Sequence, residues 1–182
     1  MDWSDYDHYH PIVRGRPGEF GRADAIREYD HLMGSRRSRI AELTDLLARN
    51  GILLNDQDDS IAEVNRWFVA NVTPYVENPN RPDPMWYAVI KDLSLFLGEL
   101  IIKRNPGLSW GMAVWGGSLN PSFQRHVVVG FPPEGMNIAF DTDLRLASYG
   151  VSIVRKQPFD DNQFVHWLDE AHAMAAGSGS HG

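Results

Sequence analysis

The sequence predicts an α+β fold: N-terminal helices, a long central helix, a small antiparallel sheet and a C-terminal helix. Three observations carry this. Apolar residues recur at helical spacing across residues 21–72 and most densely across 84–104. From Leu108 the spacing changes to alternation, and after Asp160 it returns to the helical period. Helices first, strands next and a helix last is the order of an α+β domain rather than of repeated βα units. At 182 residues and 43% hydrophobic, the chain is long enough to bury a core without a disulfide.

Residues 1–20, with Pro11, Gly15, Pro17 and Gly18, have no periodicity and read as an irregular arm; 21–176 reads as a single domain. Ile26, Tyr29, Leu32 and Met33, then Ile40, Leu43, Leu46 and Leu47, define helical faces, with a break or kink expected at Gly34-Ser35 and a stop at Asn50-Gly51. Ser60 and Glu63 have capping-box spacing ahead of Val64, Trp67 and Phe68. Four prolines in 73–84 predict a stiff loop.

Asp83-Pro84 then opens the central helix as N-cap and first-turn proline. Its apolar residues cover most of its circumference, so it is expected to be covered on most sides. Gly98, in mid-helix, costs about 1 kcal/mol relative to Ala; the expectation is that another element crosses there. Asn105-Pro106-Gly107 ends the helix.

Leu108–Trp115, His126–Phe131 and Met136–Phe140 read as strands, and Val151–Val154 as a further one. Asp141 or Asp143 is placed to cap a short helix ending at Tyr149-Gly150. Asp160-Asp161-Asn162 caps a last helix bearing Phe164, Trp167, Leu168 and Ala171, and 177–182 resembles a linker.

Composition excludes several functions. No cysteine means no thiol catalysis. The acidic start lacks the basic and apolar runs of a signal peptide, so a soluble, cytoplasmic protein is expected. Across Met85–Ile102, nine Val, Ile, Leu or Phe residues favour membrane insertion by roughly 3–5 kcal/mol, but Lys91, Asp92 and Glu99 oppose it by about 3 kcal/mol each. The formal net charge is −7, with eight basic and nine acidic residues in 1–52, five and eight in 53–105, and four and seven in 106–182. That balance disfavours nucleic acid and would suit a basic protein partner.

The motifs in the chain carry little chemistry. Asp169-Glu170-Ala171-His172 spells a helicase box without the phosphate loop it requires. Asp56–Trp67 lacks the Gly and Glu of a calcium loop. Asp5, Asp7, His8 and His10 have metal-ligand chemistry, but no pattern fixes their geometry on an arm expected to be mobile. His166 and Glu170 read as a surface pair, and Gly116-Gly117-Ser118 as a hairpin loop. No catalytic residue, cofactor or metal site is therefore expected.

What remains is a set of candidate contacts. Arg125, His126, Asp141 and Asp143 lie at strand ends and form the best polar cluster for a ligand or partner. Trp115, on the small-residue face of its strand, is either a recognition anchor or the filling beneath a crossing helix. Arg36, Arg37 and Arg39 form the basic cluster, read as a solvated helix face or an electrostatic contact.

Asp92-Leu93-Ser94-Leu95-Phe96-Leu97-Gly98-Glu99 followed by Asn105-Pro106-Gly107-Leu108-Ser109-Trp110, with Asn65-Arg66-Trp67-Phe68 upstream, resembles a group of small bacterial proteins, many from actinomycetes. The resemblance spans residues 55–131 and rests on structural residues. The group has no settled activity, so no functional residue follows from it; some similar small acidic proteins are suspected immunity or accessory factors. The leading expectation is accordingly a non-enzymatic protein that masks or scaffolds a partner. The alternative is a small-molecule-binding or enzymatic domain with a pocket between sheet and helices.

Overall fold

A computed structural model describes residues 1–177, except for the side chain of Ser118; the linker-like residues 178–182 lie outside the described part. Among the described residues, five α-helices, two single turns of 3-10 helix (Pro17–Glu19 and Gly117–Leu119) and two small antiparallel sheets form an α+β fold. The helices are α1 (Arg22–Arg49), α2 (Asp58–Asn71), α3 (Pro84–Arg104), α4 (Thr142–Val154) and α5 (Gln163–Ala175). β1 (Pro74–Tyr75) and β2 (Asn78–Pro82) make a hairpin, while β3 (Ser109–Met112), β4 (His126–Val129) and β5 (Ala139–Phe140) form a sheet in that order. Among the described residues, no helix is long and apolar enough to cross a membrane.

α3 is the centre of the molecule and touches α1, α4, α5, β3 and β4. Its Asp83 cap accepts from Met85 N at 3.0 Å. Twelve of its residues are buried, including Asp92, Ser94 and Gly98. Trp86 sits in an aromatic nest, 5.2 Å from Trp3, 5.5 Å from Trp67 and 5.7 Å from Phe68 between ring centroids. The crossing expected at Gly98 is made by Trp110 of β3: a Cβ on Gly98 would lie 2.1 Å from its Cη2. The same indole donates to Glu99 Oε1 at 2.8 Å, which fixes the ring over the gap.

Several local expectations are corrected. α1 runs unbroken through Gly34-Ser35, because Leu32 and Met33 before them and Arg39, Leu43 and Leu46 after them bury one face. That shared burial outweighs the roughly 1 kcal/mol cost of the glycine. The proline-rich loop contains the β1–β2 hairpin, closed by Asp83 N to Thr73 O at 2.9 Å; its prolines are tolerated because the hairpin has only edge strands. Ser60 is no N-cap: its hydroxyl donates to Leu53 O at 2.6 Å and accepts from Asn55 N at 3.0 Å.

The remaining corrections concern the C-terminal third. Only Ala139–Phe140 of the third predicted strand pairs with β4. Residues 151–154 are helical, since α4 continues past Gly150. That glycine marks close packing rather than a stop, with Pro82, Ile90 and Phe68 within 3.3–3.4 Å of where a Cβ would be. α5 follows Asn162, whose side chain makes no capping bond.

The arm holds one turn of 3-10 helix, Pro17–Glu19, and is packed against the helices. Tyr6 is buried and Trp3 leans on Trp86. Asn50 Nδ2 donates to Asp2 O, and Asp2 N to Asn50 Oδ1, which ties the start of the chain to the end of α1.

Candidate functional site

The sharpest polar cluster gathers where α3, the start of β4 and the start of α4 meet. Asp141 caps α4, accepting from Leu144 N at 2.8 Å. Two residues on, Asp143 is turned inward. Its Oδ2 accepts from Lys91 Nζ at 2.6 Å and from Arg125 Nη2. Arg125 Nε donates to Asp141 Oδ2 at 3.1 Å. The result is a continuous chain, Lys91–Asp143–Arg125–Asp141, of two cations and two carboxylates. Beside it, Thr142 Oγ1 donates to Ser94 O at 3.0 Å, and Ser94 Oγ lies 3.4 Å from His126 Nε2.

Burial sets the charge states. Desolvation opposes ionisation of Asp143, but Lys91 and Arg125 outweigh it and hold the carboxyl well below its ordinary value. Asp141 has only Arg125 as a cationic neighbour; burial and the nearby Asp143 push it up. Burial opposes charge on Arg125, and the two carboxylates reverse that. His126 is driven down to about 3, first by burial and then by Lys91 and Arg125. It is a neutral imidazole near pH 7 and a weak base.

This chain of charges borders a cavity of about 240 Å³, whose roof is the arm and whose other walls come from α1, α3 and the start of β4. Tyr9, Val13, Phe20 and Leu32 supply apolar wall, while Lys91, Gln124, Arg125 and His126 supply the polar end. Glu28 of α1 anchors the roof, accepting from Tyr9 Oη at 2.6 Å and from the backbone N–H groups of Ile12 and Val13 at 2.9 Å each. Gln124 Nε2 adds a bond to Phe20 O at 3.1 Å. Gln124 Oε1 is buried without a partner among the described residues, and its backbone is left-handed at φ 61°. Asp141 and Asp143 sit behind this wall, not in it.

A second charged cluster lies nearby and is closed. Asp92 accepts from Arg39 Nε at 3.0 Å, Arg39 Nη2 at 2.5 Å and Tyr6 Oη at 2.7 Å. Arg39 Nη1 donates to Asp7 O, and the guanidinium lies 5.7 Å from the Tyr6 ring centroid. Burial pushes the Asp92 carboxyl up against the pull of Arg39 and Tyr6, but three donors on one carboxylate fit the ionised form. The guanidinium stays charged in turn: burial disfavours it, and Asp92 more than compensates.

The structure therefore joins Arg125, His126, Asp141 and Asp143 and separates them from Trp115. Trp115 lines another cavity, of about 210 Å³, with Phe131, Met136 and Ile138 from loops and Val129 from β4, not with residues of a helix. The three arginines of α1 do not act together. Arg36 pairs with Glu99 at 2.7 Å, Arg37 is exposed and Arg39 is in the core. His166 pairs with Asp160 rather than sharing a ligand with Glu170, which binds Arg145. No group of three or more metal-ligating side chains occurs among the described residues. The residues missed in the sequence were Lys91, Gln124 and the arm; a lysine and an aspartate side by side on an apolar helix were the available signal for the first.

No family model, no curated protein and no solved structure matches this chain.

Proposed function

We propose that this protein is a non-enzymatic binding protein and that its recognition site is the arm-covered cavity. The observation that carries the reading is the coincidence of an apolar recess with a wall of ion-paired Lys91 and Arg125. Binding sites combine these two features, apolar walls and a few fixed polar groups. Binding is favoured over turnover because both carboxylates are engaged with cations and His126 is a weak base. The test is ligand-detected NMR against a set of small fragments, with Val13→Trp to fill the recess from its roof. Fragments that bind the unmodified chain and are lost in the variant support the reading. An absence of binders, or binders indifferent to Val13→Trp, overturns it.

A role toward a protein partner has an observation of its own. Val114 and Leu119 lie in the loop carrying Trp115 and are 54% and 94% exposed, and Met136, beside the Trp115 cavity, is 62% exposed. Exposed apolar side chains on and beside the segment that carries Trp115 suit a partner surface. Recovery of one stoichiometric protein from native lysate, lost on Leu119→Asp with Met136→Asp, is the outcome this role requires.

A further inference from the structure

Resting on the cavity reading above, we infer that the ligand is a small organic carboxylate with an apolar body, its charged end held between Lys91 and Arg125. Several donors at the polar end of the cavity are unused. Lys91 Nζ has three N–H donors and, among the described residues, meets one protein acceptor, Asp143 Oδ2. Arg125 spends Nε and Nη2 on Asp141 and Asp143, while Nη1 meets no acceptor among the described residues. Both side chains retain access, 24% for Lys91 and 19% for Arg125, although both border a roofed recess. The polar end of the cavity therefore has spare donors on Lys91 and on Arg125, the latter shared with a second cavity lined by Arg16, Glu19 and Pro121.

The carboxylates nearby are already taken, and the acceptor in the wall that lacks a partner among the described residues is the neutral amide oxygen of Gln124. Asp143 and Asp141 lie behind the wall and are bound to the two cations. Glu28, the carboxylate in the lining itself, is occupied by three donors from the arm. A cationic ligand would find no free carboxylate, whereas an anion would find an ammonium and a guanidinium already fixed in position. Ion pairs to buried carboxylates hold both groups without consuming all their donors, which lowers the ordering cost of binding. The rest of the lining is apolar, with Tyr9, Val13, Phe20 and Leu32 suited to a ring or short alkyl body. The cavity volume of about 240 Å³ suits a small ligand rather than a large one.

The test compares three probes of one shape and different charge, benzoate, benzamide and benzylammonium, by titration calorimetry and NMR on the full chain. Benzoate is expected to bind at least ten-fold tighter than benzamide, and benzylammonium not at all. Val13→Trp should abolish benzoate binding, and Lys91→Met should weaken it by about ten-fold, with near-ultraviolet circular dichroism reporting whether each variant is folded. The three-probe comparison needs no variant, so it stands even if Lys91→Met does not fold. Equal binding of benzoate and benzamide, both lost in Val13→Trp, overturns the carboxylate assignment and leaves the cavity reading intact. Preference for benzylammonium overturns the assignment outright. No binding by any probe, or binding that survives Val13→Trp, overturns both.

Discussion

Lys91 and Asp92 are neighbours on α3, yet the clusters they enter differ in kind. A helix turns about 100° per residue, so the two side chains leave toward different elements. Asp92 meets Arg39 of α1 and Tyr6 of the arm, and the pair is almost wholly shielded, with side chains 7% and 0% exposed. Lys91 meets Asp143 and, through it, Arg125, and both cations keep access to a recess. The first cluster has spent its hydrogen-bonding capacity inside the protein and the second has not. A buried ion pair is a poor source of net stability but costly to break on one side. Saturated, it holds the arm in place; unsaturated, it is available to a ligand.

Substitutions should separate the two clusters by size of effect. Asp92→Ala leaves Arg39 buried and unpaired and should cost about 3–5 kcal/mol, read from denaturant midpoints. A loss below 1 kcal/mol would mean that the Asp92 cluster is no more closed than its neighbour.

The next effect is one of pH. His126 has a folded pKa of about 3, depressed from 6.5, so its contribution is present above pH 6.5 and is lost as pH falls toward 3. Proton uptake by the unfolded chain should remove roughly 3 kcal/mol between pH 6.5 and 4. Asp143, also depressed, adds its loss only below its ordinary value of 3.8, while Asp92 and Asp141, both raised, act with the opposite sign, so the His126 contribution is read as the difference between the curves of the unmodified chain and the His126→Gln variant. Stability curves of the His126→Gln variant should be flatter across that window, and an unchanged slope would place the titrating group elsewhere.

Asp143→Asn sharpens the contrast most directly. It should cost about 1–3 kcal/mol, less than Asp92→Ala, because the freed Lys91 and Arg125 can turn to water in the recess. The smallest effect expected is that of Tyr6→Phe, about 1–2 kcal/mol, because it removes one of three donors from Asp92 without exposing a charge. Thermal unfolding of the full chain would measure it.

Much of the fold was legible in the sequence because it rests on local pattern. The Asp83 cap, the apolar circumference of α3 and the glycine at 98 are all readable within a few turns of helix. The clusters were not legible, because their partners are far apart: Tyr6 and Asp92 are separated by 86 positions, Arg39 and Asp92 by 53, and Lys91 and Asp143 by 52. One signal was present and unused. Arg39 falls seven residues after Leu32 and four before Leu43, on the stripe that faces the core, whereas Arg36 and Arg37 lie off it. A cation on an apolar stripe implies a buried anion elsewhere, and Asp92 was the one acid on α3 with no exposed face to occupy.

The seat of Trp110 on Gly98 also bears on how such chains can diverge. No side chain fits at 98 while an indole lies 2.1 Å from its Cβ direction, and loss of the indole would leave a hollow above the glycine and Glu99 without its donor. Neither position can drift alone. In related sequences the two sites should change as a pair, a larger residue at 98 arriving only with a smaller one at 110, so that their joint substitution pattern records this contact wherever the fold is kept.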